Sequence, residues 1–99
     1  MSKTIAGGLT QEQIDQLKKK HGPLMLVTIK PNGKEEHFWF KKPEMVTMKA
    51  SAAVSQRDPL ESTSILFKNC LVEGDMDAVK NVDKFMSIAP KLESLIEGS

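Results

Sequence analysis

The chain has no tyrosine, one cysteine, one tryptophan and two histidines among its 99 residues. A lone cysteine, Cys70, excludes an internal disulfide, so nothing in the sequence asks for an oxidising compartment. That thiol with His21 and His37 is a thin stock for nucleophilic or acid–base catalysis. Long apolar runs are missing too. None approaches the roughly 18 residues of a membrane span, and the opening M-S-K-T-I-A-G-G has no apolar stretch of the kind a secretory signal carries. Charge of one sign is also absent. Fourteen basic residues face thirteen acidic ones, a net charge of +1, which gives no long-range field to draw in nucleic acid or anionic lipid. The expectation is a cytoplasmic protein that does not enter a membrane.

What is present is an ordinary globular composition. Apolar residues make up 39%, and a chain of this size folds as one domain that buries roughly 60–70% of the surface its unfolded form exposes. Residues 1–8 read as a flexible arm. A helix is expected over 9–22: Thr10 and Gln13 have the spacing of a capping box, Leu9 and Ile14 that of a hydrophobic staple. Lys18, Lys19 and Lys20 suit the negative end of the helix dipole, and Gly22-Pro23 stops the run.

Residues 24–41 predict a β-hairpin. Two strands rich in β-formers flank Pro31-Asn32-Gly33. With proline at the first central turn position and Gly33 left-handed as a bulge, Met25 pairs with Trp39 and Leu26 with Phe38. Met25, Val27, Ile29, His37 and Trp39 then share one face, and Leu24, Leu26, Phe38 and Phe40 the other. Both faces are apolar, and a bare hairpin is marginal in water. One face is expected to cover the helices and the other to need the first helix or a second chain. This makes Met25, Val27, His37 and Trp39 the candidate protein-contact residues, since tryptophan and methionine are enriched at interfaces, and it predicts a homo-oligomer.

Residues 43–98 read as a bundle of about three helices. Pro43 opens the first, with Met45, Met48 and Ala52 on one face. Asp58-Pro59-Leu60-Glu61 starts the second with an N-cap, a proline and an acid. Its expected stripe is Leu60, Ser64, Phe67 and Leu71, and Gly74 its C-cap. Asn81 caps the last helix, with the stripe Val82, Phe85, Ala89, Leu92 and Ile96, and Pro90 is expected to kink or break it.

No catalytic, cofactor or metal residue emerges. His21 fits a helix C-terminus, His37 a half-buried sheet position, and Cys70 a small buried hydrophobe. Glu73, Asp75 and Asp77 alternate as oxygen ligands can, but the loop lacks the further ligands and closing glutamate of an EF-hand; it reads as a solvated turn. Lys30, Lys34, Lys41 and Lys42 beside an aromatic hairpin raise single-stranded nucleic acid binding. Phe38 and Phe40 point away from Trp39, however, which is no stacking platform.

The order F-x-K-P at Phe40–Pro43, D-P-L-E at Asp58–Glu61, N-C-L-V-E-G-D at Asn69–Asp75 and the closing V-D-x-F…L-x-x-L-I resembles the small tail assembly chaperones of tailed phages and prophages, over about sixty residues. The resemblance implies a non-enzymatic protein without cofactor, working in the cytoplasm of a bacterial host and binding a phage tail protein such as the tape measure protein. The sequence thus predicts an α+β domain of N-terminal helix, one β-hairpin and a helical bundle, acting through protein contact. A nucleic-acid-binding module using the basic hairpin is the alternative.

Overall fold

The computed structural model describes residues 8–98. The arm expected over 1–8 lies, except for Gly8, outside the described residues. The fold is α+β. Helix α1 (Gln11–His21) precedes strands β1 (Leu24–Ile29) and β2 (Glu36–Lys41), helices α2 (Met45–Ser55) and α3 (Pro59–Cys70), strand β3 (Leu71–Glu73) and helix α4 (Val82–Glu97). The strands form one antiparallel sheet in the order β1-β2-β3.

Helix starts follow the local chemistry of the sequence. The Thr10 side chain accepts from the Gln13 N–H at 3.2 Å, and the Gln13 side chain accepts from the Thr10 N–H at 2.9 Å, completing the capping box. Asp58 accepts from the Glu61 N–H at 3.0 Å, and Asn81 from the Lys84 N–H at 3.1 Å. Each satisfies an N–H that the helix itself leaves without a partner. α1 ends at Gly22, whose φ of 81° places it where a side chain is disfavoured. Helix α4 runs unbroken through Pro90, which is exposed.

The hairpin register differs from the expected one by a residue. Met25 pairs with Phe40, Leu26 with Trp39 and Val27 with Phe38. Asn32, with φ 56°, joins Gly33, φ 82°, in the left-handed region, so the turn takes two such residues instead of one. A one-residue slip moves every side chain of one strand to the opposite face. Phe38 and Phe40 therefore join Met25, Val27 and Ile29 on the face that packs against the helices, and all five are buried. Trp39 and His37 lie on the other face with Leu24 and Leu26. The shared face of Met25, Val27, His37 and Trp39 does not exist.

Strand β3 was not expected. Leu71 leaves α3 at Cys70 and pairs with Phe40, and Glu73 pairs with Trp39 across a register shift. Gly74 is not the cap of α3 but follows this strand at φ 141°. A Cβ there would stand 3.0 Å from Phe38 Cδ2 and 3.1 Å from the His37 carbonyl oxygen, so only glycine allows the close approach to β2.

Phe67 of α3 is the centre of the core. Its ring lies 5.4 Å from Phe40, 6.0 Å from Phe38 and 6.4 Å from Phe85, in tilted or edge-on arrangements. Leu66, Cys70, Ile88 and Leu92 complete the layer between sheet and helices. The α3 stripe is rotated from the expected one: Ser62, Thr63, Leu66, Phe67 and Cys70 face inward, while Leu60 is exposed. In α4, Phe85, Ile88, Ala89 and Leu92 are buried and Val82 is exposed. The opposite sheet face is covered by α1, whose Ile14 is buried, as is Trp39; neither belongs to the main core cluster. The Lys84 ammonium reaches Glu36 at 2.9 Å and ties α4 to the start of β2.

Candidate protein-contact surface

The four predicted contact residues separate. The side chains of Met25 and Val27 sit in the core beneath the helices, not on an outer face of the sheet. Trp39 is only 7% exposed on the α1 side of the sheet. His37 is half-buried, and its Nδ1 lies 2.9 Å from the Thr28 hydroxyl across the strand pair. Of the two covers expected for the other sheet face, the first helix or a second chain, the structure shows the first, with α1 packed against β1. Phe38, Phe40 and Trp39 are all buried, so the basic hairpin displays none of its rings for base stacking.

The exposed apolar residues lie elsewhere. Met45 and Val46 are each 70% exposed at the start of α2, and Met48 follows at 40%. Ala50, Ala52 and Ala53 continue the exposed surface of the same helix. On α4, Val82 and Met86 lie one turn apart and are exposed, with Met76 exposed in the preceding turn. Met25 is thus the one buried methionine among the described residues. The sequence showed the apolar stripe of α2, Met45, Met48 and Ala52, without showing what covers it.

Helix α2 is exposed because of how it packs. Its one buried residue is Ser51, which faces Ser62 of α3. The two hydroxyl oxygens lie 2.6 Å apart, and each has the other residue's carbonyl within reach, Ser51 Oγ at 3.1 Å and Ser62 Oγ at 2.9 Å, so that their two protons make two hydrogen bonds among these contacts. Small side chains let the two backbones approach closely, and the reciprocal bonds satisfy both buried hydroxyls. The buried part of the contact is polar on the α2 side, and the methionines and alanines of α2 face outward. A helix that is apolar round most of its surface is normally buried; this one packs chiefly against α3.

Cys70 is fully buried. Burial pushes its thiol up from 9.0 to about 11, opposed by the Lys41 ammonium and reinforced by Glu44. Such a thiol carries little thiolate at neutral pH. In the acidic loop, Asp75 accepts from the Asp77 N–H at 3.0 Å and so caps its own turn. Glu73, Asp75 and Asp77 do not converge, and no group of three metal-ligating side chains occurs among the described residues. No helix among the described residues is long and apolar enough to cross a membrane. No family model, curated protein or solved structure matches the chain.

Proposed function

We propose that the chain is a non-enzymatic protein-binding domain that presents α2 to a partner protein. The exposure of Met45, Val46 and Met48 on a helix packed mainly through Ser51 carries this reading. Methionine is flexible and polarisable, and it is over-used on surfaces that accept apolar partners of varied shape. The apolar face of a partner helix suits such a surface. In its narrower form, resting on the motifs between Phe40 and Ile96, the proposal is a tail assembly chaperone-like protein of a phage or prophage. It works in the host cytoplasm and holds a tape measure protein soluble until the tail tube assembles. Any homo-oligomer would then form through α2, not through the sheet.

The test is co-expression with a long, coiled-coil-rich tape measure protein of a tailed phage or prophage. The wild type is expected to raise the soluble fraction of that protein. The double variant Met45→Glu/Val46→Glu is expected to lose this effect while keeping its own stability within about 0.5 kcal/mol, as exposed substitutions generally do. A variant that protects the partner as well as the wild type would overturn the role of α2. Binding that weakens steeply with salt would instead favour phosphate contacts and the nucleic-acid reading.

A further inference from the structure

The two edges of the sheet are protected in different ways. β3 is three residues long, and its pairing with β2 is interrupted by a register shift. Short, irregular edges are poor templates for a further strand. β1 forms the other edge. Its six residues, L-M-L-V-T-I, carry no charge and no proline, and its pairing with β2 is regular throughout. Such an edge offers a row of backbone N–H and C=O groups to any extended chain. Beside it runs a groove of about 530 Å³ lined by Leu26, Val27, Thr28, Pro90, Lys91 and Leu95. One charged side chain lines this groove. Lys91 of α4 donates its ammonium to the Thr28 carbonyl at 2.7 Å. Neither ion pair among the described residues involves Lys91, so the contact with this carbonyl is not a by-product of a salt bridge.

We propose that Lys91 guards a self-pairing edge: it occupies the Thr28 carbonyl and places a charge in the path of an incoming strand, and without it β1 of a second copy pairs antiparallel with β1. A second copy fits this edge because β1 is as uncharged and regular as the strand it would meet. Antiparallel pairing about a two-fold axis is closed, and it would bring together the half-buried Leu24 and Leu26 of both copies. An ammonium left in that interface would need desolvation, which is how edge lysines block pairing.

The test compares the wild type with Lys91→Ala, Lys91→Arg and, as a control for lost charge elsewhere, Lys68→Ala on the exposed side of α3. Circular dichroism establishes that each is folded. Light scattering at rising concentration is expected to take Lys91→Ala to twice the mass of the wild type at the same concentration. Lys91→Arg, which can still donate to the carbonyl, and Lys68→Ala are expected to follow the wild type. Hydrogen exchange is expected to show concentration-dependent protection of β1 amides in Lys91→Ala alone. Equal masses for Lys91→Ala and wild type would overturn the proposal. So would association without protection of β1, or the same protection in the wild type. The Lys91 substitutions leave α2 untouched, so failure here is separable from failure of the α2 reading.

Discussion

Replacing Ser51 and Ser62 by alanine, singly and together, tests how α2 is held. In Ser51→Ala the Ser62 hydroxyl still donates to the Ser51 carbonyl at 2.9 Å, so no buried donor is stranded. What is lost is one hydrogen bond, since the single Ser51 proton goes either to the Ser62 carbonyl at 3.1 Å or to the Ser62 hydroxyl at 2.6 Å. Ser62→Ala is the mirror case. Each single substitution is expected to destabilise by about 1 kcal/mol, the usual net worth of a hydrogen bond. The double variant removes both hydroxyl protons and leaves two small apolar side chains of nearly the same shape. With one bond lost per hydroxyl, it is expected to be destabilised by about 2 kcal/mol, the sum of the singles. Urea unfolding reads this directly. With a slope of about 1–3 kcal/mol per molar for small proteins, each single variant shifts the midpoint down by roughly 0.3–1 M. A double variant no less stable than either single would refute the reciprocal pair. A double variant more stable than the wild type would show that the pair positions α2 at a net loss of stability.

Two further outcomes rest on other parts of the fold. Gly74→Ala places a Cβ 3.1 Å from the His37 carbonyl oxygen at φ 141°; a loss of about 1–3 kcal/mol is expected, and a neutral result in thermal unfolding would show that β3 can shift away from β2. Cys70 is expected to react with a thiol reagent only on unfolding. Its folded thiol ionises near 11 instead of 9.0, so as pH rises through that interval the unfolded chain loses its proton first and the protein becomes less stable. Chemical denaturation at stepped alkaline pH, compared with Cys70→Ala, isolates that contribution. Fast labelling of the native protein at neutral pH would contradict the burial of Cys70.

Helix starts at Thr10, Asp58 and Asn81 were legible in the sequence because a cap is a bond between residues three apart. The α+β class, with a helix first, a hairpin next and helices after it, follows from the same local signals. The hairpin register was not legible. It depends on how many residues the turn consumes, and the left-handed Asn32 adds one. The grouping of Phe38 and Phe40 with Val27 then answers to Phe67, which lies in a helix that sequence proximity does not connect to the strand. Strand β3 was hidden for a related reason: L-V-E extends a helical pattern as well as it forms a strand, and only the free edge of β2 decides between them. Helix α2 shows the limit most plainly. Its methionines recur at helical spacing, which marks an apolar face but not what covers it. The sequence by itself determined where α1, α3 and α4 begin and which residues are apolar, whereas Pro43, expected to open α2, lies before its N-cap Glu44. The tertiary structure decided which apolar faces are buried, because burial depends on the other elements that compete for the same core, and the small paired serines set α2 outside it.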